Sequence, residues 1–160
     1  MEVVMAVYLM QHGEASTEAE NAARPLTDTG RAAVERVAAR ANAADVRIDR
    51  CVHSGKLRAE QTAELLVDAL ESERIIEPRD GLAPNDPVAP VADWLRDTAE
   101  GSSIALIGHL PFLDRLASLL ITDDENTHVI QFRMGGLVKL VPKSEGPGFT
   151  VAWILAPEIA

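Results

Sequence analysis

Three of the four histidines stand where a short apolar run ends. His12 and His109 each adjoin a glycine, and His53 precedes a serine. An imidazole can act as a nucleophile near neutral pH because its reference pKa is about 6.5, and a neighbouring glycine lets a ligand approach the backbone. One such histidine alone is more often a packed or solvated residue, but two at one edge of a sheet favour a functional site. His128 lies in an acidic stretch, which predicts a surface residue.

Two arginines could bind an anion beside these histidines. Arg58 falls in the first turn of a predicted helix, where the N-terminus of the helix already favours anions. A solvated side chain is the ordinary interpretation of an arginine there, and Arg24, in a loop before a proline, is uninformative alone. A cation at the start of a helix helps only if it faces an anionic ligand.

The elements that must position these residues alternate between strand and helix. The run at 3–10 (VVMAVYLM) has the length and the β-branched content of a strand buried on both faces. Later strands are predicted at 50–54, 75–78 and 103–108. Helices are predicted at 28–43 with Thr27 as the N-cap, at 56–70, at 91–98, and from Pro111 to 120. The proline-rich stretch at 79–90 is predicted to be a loop, and the tail is predicted to form partly antiparallel strands at 129–132, 137–141 and 150–155.

This order predicts an α/β fold: a three-layer α/β/α sandwich with a mostly parallel central sheet flanked by helices. Ligands of such sheets bind beyond the carboxyl ends of the strands. His12, His53 and His109 are all predicted to lie at those ends.

Four segments resemble the histidine phosphatase superfamily, in the same order. Residues 9–15 (LMQHGEA) resemble its Arg-His-Gly signature, and Arg24-Pro25-Leu26-Thr27 followed by Gly30 resembles the next segment of its small members. Residues 54–63 (SGKLRAEQTA) and 108–111 (GHLP) resemble its second and late blocks. The short chain and the His-Leu-Pro block point to the SixA-type phosphohistidine phosphatases.

This resemblance implies a phosphoglycerate mutase-like fold and a phosphatase that needs no metal or organic cofactor. It implies that His12 is the nucleophile and passes through a covalent phosphohistidine, and that Arg58 and His109 bind phosphate, with Arg24 nearby. The implied substrate is phosphohistidine on a protein, such as a histidine-containing phosphotransfer domain, or a small phosphorylated compound.

Position 11 departs from the family signature, which has arginine before the nucleophilic histidine where this chain has Gln11. An amide can donate hydrogen bonds to phosphate but carries no charge. Two interpretations stay open: a slower or differently tuned enzyme, or a phospho-ligand-binding module without turnover. A metal site built from His12, His53 and His109 is a third, which would need three converging ligands.

A general acid for the leaving group is not evident in the sequence. Glu14, Asn85 and Asp86 are candidates by location alone. A phosphohistidine substrate depends less on such an acid, because its leaving imidazole is a much weaker base than an alkoxide.

Composition sets the remaining limits. With 160 residues, 47% of them hydrophobic, the chain is predicted to form one domain over 1–160. A net charge of −10 without a basic run argues against nucleic acid and anionic membranes as partners. The apolar N-terminal run is too short to span a bilayer. A single cysteine, Cys51, excludes an internal disulfide, and a cytoplasmic location is expected.

Overall fold

A computed structural model describes residues 5–71, 75–98 and 101–160. Strands and helices alternate through most of the chain, as the hydrophobic pattern predicts. The strands are β1 (Ala6–Gln11), β2 (Arg50–His53), β3 (Ile75–Pro78), β4 (Ser103–Gly108), β5 (Leu137–Pro142) and β6 (Phe149–Leu155). The helices are α1 (Asp28–Ala43), α2 (Leu57–Ala69), α3 (Ala89–Thr98) and α4 (Phe112–Thr122), and a short 3₁₀ turn follows at Pro157–Ile159.

The six strands form one sheet in the order β3-β2-β4-β1-β5-β6. The first four strands in this order are parallel to one another, and β5 and β6 extend the sheet as antiparallel strands. The predicted mostly parallel sheet is confirmed. The tail strands therefore widen the sheet and do not cover the ends of the parallel strands.

Side chains alternate between two apolar cores, one on each face of the sheet. Tyr8 and Met10 of β1 pack against α1 and α2, whereas Val7 and Leu9 pack against α3 and α4. This alternation follows from the two-residue period of a strand, and it explains why buried parallel strands are apolar throughout. The predicted three-layer sandwich is confirmed. Among the helices of the described residues, none is long and apolar enough to cross a membrane.

One predicted strand is wrong. Residues 129–132 form no strand, and the nearest pairing is an isolated bridge between Met134 and Gln11. Ile130 and Phe132 are buried in the α3–α4 core, whereas Val129 is exposed. The two-residue pattern arises because alternate residues of this segment are buried, although the segment pairs with no neighbouring strand.

Differences at the ends of elements are small. The predicted first strand began at residue 3, which lies outside the described residues, and β1 begins at Ala6. Pro111 is the N-cap of α4 and not its first helical residue. Thr27 caps α1 as predicted, because its hydroxyl oxygen accepts a hydrogen bond from the amide of Gly30 at 2.9 Å.

The pairing register aligns the carboxyl ends of three strands at one edge of the sheet. Gln11 of β1 is paired with Gly108 of β4, and His53 of β2 is paired with Ile107 of the same strand. Residues 12, 54 and 109 therefore emerge side by side. Helices α2 and α4 begin immediately after β2 and β4, so their N-termini lie at this edge.

Gly30 is the contact point between α1 and the segment that follows β1. A Cβ atom added at Gly30 would lie 2.1 Å from the carbonyl oxygen of Glu14. Only a residue without a side chain allows this approach, which also lets the Glu14 carbonyl accept from the amide of Thr27 at 3.0 Å.

We predict that Gly30→Ala lowers the free energy of unfolding by about 3 kcal/mol, at the upper end of the usual cost of overpacking. Urea denaturation measures this value. Gly108→Ala is the matched control, because an added Cβ there would meet its nearest atom at 3.7 Å, an ordinary contact. Equal stability of the two variants would show that the Gly30 contact is not a constraint.

Candidate active site

His12 lies directly beyond the end of β1, and its ring is oriented by its own backbone. The Nδ1 atom is 2.7 Å from the carbonyl oxygen of Gly13. A carbonyl can only accept, so Nδ1 carries the proton and the Nε2 atom of the neutral ring keeps its lone pair. The amide of His12 donates to the carbonyl oxygen of Gly108 at 3.1 Å, which continues the pairing of β1 with β4.

The surroundings of His12 favour the neutral, nucleophilic form of its ring. Burial lowers its pKa below the ordinary value, and the charges of Arg58 and Arg24 act in the same direction, while the hydrogen bond to Gly13 opposes them. A neutral imidazole with a free Nε2 can attack an electrophile without first losing a proton.

His109 faces His12 across the edge of the sheet. The ring centroids are 5.0 Å apart, and Nε2 of His109 shares a 2.6 Å hydrogen bond with the hydroxyl of Ser54. Burial, followed by the charges of His12, Arg58, Lys56 and Arg24, lowers the pKa of His109 to about 3. His109 is therefore neutral at pH 7 in the unliganded protein, and an anion placed between these groups would make its protonation easier.

Arg58 occupies the first turn of α2 and brings an unsatisfied donor to the site. Its Nε atom is buried and has no hydrogen-bond partner within the described residues. Burial lowers the pKa of Arg58, and the charge of Arg24 adds to this effect. A buried guanidinium donor without a partner is costly, and an anion that accepts its hydrogen bond would remove that cost.

A chain of hydrogen bonds ties the loop after β1 to the helix that carries Arg58. The amide of Gly13 donates to the hydroxyl oxygen of Thr62 at 3.1 Å, and that hydroxyl donates to the carbonyl oxygen of Arg58 at 2.8 Å. Nearby, the side-chain oxygen of Gln61 accepts from the amide of Leu26 at 2.8 Å. The motif residues Gln61 and Thr62 therefore hold the two halves of the site together.

Arg24 reaches the same site from the loop before α1. Its Nε atom donates to the carbonyl oxygen of Ser16 at 3.1 Å, and its charge lowers the pKa of both His12 and His109. Its backbone has a positive φ of 49°. A non-glycine residue seldom adopts this conformation, so the loop is shaped around the position of this arginine.

The other predicted candidates are engaged elsewhere. His53 is buried, and its Nδ1 atom accepts from the amide of Gly55 at 3.1 Å. His128 is exposed as predicted and bonds Asp114 at 2.5 Å, and Arg133, left unassigned by the sequence, pairs with Glu158. Within residues 5–71, 75–98 and 101–160, no three histidine, cysteine or acidic side chains come together as metal ligands.

Of the three candidate acids, Glu14 and Asp86 have hydrogen-bond partners of their own, and Asn85 is exposed. Glu14 accepts a 2.8 Å hydrogen bond from the hydroxyl of Thr27, and Asp86 accepts one from the amide of Ala83 at 2.9 Å. The charged groups that shift the pKa values of His12 and His109 are all cationic.

Two residues of the site were not singled out from the sequence. Ser54, the hydrogen-bond partner of His109, was noted only as part of a motif. Lys56 is the N-cap of α2, and its charge reaches His109. Its place two residues before Arg58 was the available signal, but a single exposed lysine at the start of a helix is usually solvated.

Gln11 lies beside His12 in the chain, and its carbonyl oxygen accepts from the amide of Gly135 at 2.9 Å.

We predict that acid destabilises this protein partly through His109. The unfolded chain binds a proton at this histidine near pH 6.5, whereas the folded chain binds it only near pH 3. The stability that this pKa difference contributes to the free energy of unfolding is fully present above pH 6.5. It is lost as the pH falls from 6.5 toward 3. The free energy of unfolding should therefore drop less between pH 7 and pH 4.5 in His109→Gln than in the unsubstituted protein, as urea denaturation at the two pH values can measure. His128→Gln is the control for loss of a histidine, and equal drops in all three proteins would contradict the prediction.

Known proteins share this sequence and this arrangement. Residues 7–83 match the histidine phosphatase superfamily (branch 1). The phosphohistidine phosphatase SixA of Escherichia coli strain K12 is 31% identical over 156 residues, which cover 96% of this chain and 94% of that protein. The structure of a protein histidine phosphatase SixA complexed with tungstate superposes with a TM-score of 0.83 at 30% identity, covering 96% of this chain and 97% of that one.

A more distant structure shares the fold alone. The α-ribazole phosphatase of Shigella flexneri superposes with a TM-score of 0.77 at 15% identity, covering 98% of each chain. The full-length match to the phosphohistidine phosphatase, together with the paired histidines and the arginines around them, identifies this chain as a member of the histidine phosphatase superfamily, a phosphatase of the SixA type.

Proposed function

We propose that this phosphatase hydrolyses phosphohistidine through a covalent phosphohistidine intermediate on His12. The observation that carries the proposal is the orientation of His12. Its Nδ1 proton is held by Gly13, and its free Nε2 lies in a site whose other charges are cationic. The similarity to proteins described as phosphohistidine phosphatases supports the same substrate class.

In the first step, the lone pair of Nε2 of His12 attacks phosphorus. A bond forms between Nε2 and phosphorus while the bond from phosphorus to the substrate imidazole breaks. The electron pair of the broken bond passes to the substrate ring, which carries a proton on its other nitrogen and leaves as a neutral imidazole. In the second step, water attacks phosphorus, the bond from phosphorus to Nε2 breaks and its electron pair returns to Nε2, and orthophosphate leaves with the protons of the water. The proton on Nδ1 of His12 stays on the ring in both steps, and its hydrogen bond to the carbonyl oxygen of Gly13 fixes the ring.

The cations stabilise the charge on the transferring oxygens. Arg58 offers its unpartnered Nε donor, and Arg24 adds a second guanidinium. Donors that are already oriented are effective because they need no rearrangement when charge develops. His109 is neutral before substrate binds, and the phosphoryl charge favours its protonation, which would add a donor beside Ser54.

The absence of a carboxylate among the charged groups that reach His12 and His109 favours a phosphorus–nitrogen bond as the substrate. An alkoxide leaving group is strongly basic and needs an acid, which is worth roughly 10² to 10⁴ in rate. A phosphohistidine that carries a proton on its other ring nitrogen releases a neutral imidazole without one, since the reference pKa of that ring is about 6.5. The partner that fits this chemistry is a protein phosphorylated on histidine, such as a histidine-containing phosphotransfer domain. We also propose a cytoplasmic location, which the single cysteine leads us to expect.

The second candidate function, a phospho-ligand-binding module without turnover, is favoured by Gln11 alone. It shares the ligand chemistry, so phosphate or tungstate binding does not distinguish the two functions. Turnover of a phosphohistidine substrate does.

We predict that His12→Ala reduces hydrolysis of a phosphohistidine peptide by about 10³-fold or more, because it removes the nucleophile. Release of orthophosphate measures the rate, and an alkaline quench with labelled substrate should trap an acid-labile, alkali-stable phosphoenzyme in the unsubstituted protein only. His128→Ala is the control, since that ring is exposed and bonds Asp114. Activity in His12→Ala within tenfold of the unsubstituted protein would refute the assignment. Tungstate binding without any turnover in the unsubstituted protein would favour the binding module.

We predict that kcat/KM for a phosphohistidine peptide exceeds that for a phosphoserine peptide of the same sequence by about 100-fold or more, because no carboxylate is among the charged groups that shift the pKa values of His12 and His109. The two peptides are compared under identical conditions. Para-nitrophenyl phosphate, an ester with a good leaving group, should fall between them. Glu14→Gln should leave all three rates unchanged, because the amide still accepts from Thr27. Faster hydrolysis of phosphoserine, or its loss in Glu14→Gln, would reveal an acid.

A further inference from the structure

We propose that Lys56 binds the phosphoryl group of the substrate and supplies, from the start of α2, the positive charge that Gln11 lacks beside the nucleophile. The inference rests on the proposed function, since it takes a phosphoryl group as the ligand. It assigns to Lys56 a role that the motifs do not give it.

The backbone places Lys56 at the site. Lys56 is the N-cap of α2, and its amide donates to the hydroxyl oxygen of Ser54 at 3.4 Å. The same hydroxyl shares the 2.6 Å hydrogen bond with Nε2 of His109. One serine therefore connects Lys56 to His109, and Arg58 follows two residues later in the first turn of α2. An anion bound between His12 and His109 lies within the region that a lysine side chain from this position can reach.

The charge of Lys56 acts on His109, and no ion pair among the described residues competes for it. Among the described residues, Lys56 makes no ion pair, although acidic residues outnumber basic ones, 25 to 15. Its effect on the pKa of His109 is larger than that of Arg24. Arg24, Lys56 and Arg58 thus form a group of three cations without a carboxylate counterion, which is the environment that a phosphate dianion would neutralise.

The chemistry of a lysine differs from that of an arginine in a way that can be measured. An ammonium on a flexible, exposed side chain contributes mainly charge, whereas a guanidinium also offers a rigid pair of donors. A contribution that is mainly coulombic is screened by salt over a Debye length of about 10 Å at 0.1 M ionic strength. The advantage given by Lys56 should therefore shrink as salt is added.

The test combines substitutions at the two positions with two independent measurements. The proteins are the unsubstituted chain, Lys56→Gln, Lys56→Arg, Gln11→Arg and the double variant Lys56→Gln/Gln11→Arg. The control is Lys143→Gln, which removes a lysine from the segment after β5, beyond the opposite edge of the parallel strands. Calorimetry gives the Kd for tungstate at low and at high salt. Orthophosphate release from a phosphohistidine peptide gives kcat/KM, and thermal unfolding verifies that each variant is folded.

We expect Lys56→Gln to weaken tungstate binding at low salt by about tenfold. A loss of this size corresponds to one partly screened, charge-assisted hydrogen bond. kcat/KM should fall by at least as much. Lys56→Arg should stay within about threefold of the unsubstituted protein, a rescue that a purely structural role of the side chain would not give. Gln11→Arg alone should gain little, because Lys56 already supplies the charge, but the same substitution should restore most of the loss in the double variant.

Three outcomes would overturn the inference. A Kd for tungstate in Lys56→Gln within twofold of the unsubstituted value would show that Lys56 does not bind the anion. An equal weakening of tungstate binding in Lys143→Gln would show that only the net charge of the protein matters. A loss of the same size with Gln11 and with arginine at position 11 would show that the two positions act independently. If the unsubstituted protein binds tungstate but hydrolyses nothing, the proposed function fails while the tungstate measurements still decide the role of Lys56.

Discussion

The two hydrogen bonds that run from Gly13 through Thr62 to the carbonyl of Arg58 are the constraint on which the rest of the site depends. They join the loop carrying His12 to the helix carrying Arg58. The connection runs from the main chain of Gly13 to the main chain of Arg58 through the hydroxyl of the buried Thr62, so it holds the loop against the helix. Gly30 contacts the same loop from α1, because the absence of a side chain lets the helix approach Glu14. Reactive groups held in this way need little rearrangement when substrate binds.

Burial and positive charge act together on the two histidines. Both lower the pKa values of His12 and His109, which keeps the rings neutral in the unliganded protein. A neutral ring is what the nucleophile requires. For His109 the same conditions give a residue whose protonation is coupled to the arrival of an anion, since the phosphoryl charge reverses the local repulsion. In the proposed mechanism, one arrangement of charges thus prepares a nucleophile at His12 and a responsive donor at His109.

The site also explains how an acidic protein can act on an anion. The net charge of −10 belongs to the molecule as a whole, whereas Arg24, Lys56 and Arg58 are gathered at one edge of the sheet without carboxylate partners among the described residues. At short range, and with partial burial, these few cations outweigh the screened charges of the distant surface. An uncharged residue at position 11 is compatible with phosphate chemistry for the same reason, because the sum of nearby charges matters more than the position of any one of them.

The sequence by itself determined the layer architecture and most of the site. Buried strands leave continuous apolar runs, and amphipathic helices leave a 3.6-residue period, so the order of elements and the end of each strand could be predicted within a few residues. The motifs around His12, Arg58 and His109 singled out side chains that the structure brings to one edge of the sheet, and their roles in the reaction stay predictions. The segment at 129–132 was predicted as a strand because burial of Ile130 and Phe132 imitates the period of a strand, while hydrogen-bond pairing depends on a neighbour that the local sequence does not encode.

Only the tertiary structure decided how these residues act together. The tautomer of His12, the bond between Ser54 and His109, and the unpartnered Nε of Arg58 arise from contacts between segments that lie far apart in the chain. The structure also separated His53 from the catalytic pair and directed Glu14 and Asp86 to backbone and hydroxyl partners. Residue type fixes what chemistry a side chain can perform, but distance, burial and the sum of neighbouring charges determine which of those chemistries is available, and these quantities exist only once the chain has folded.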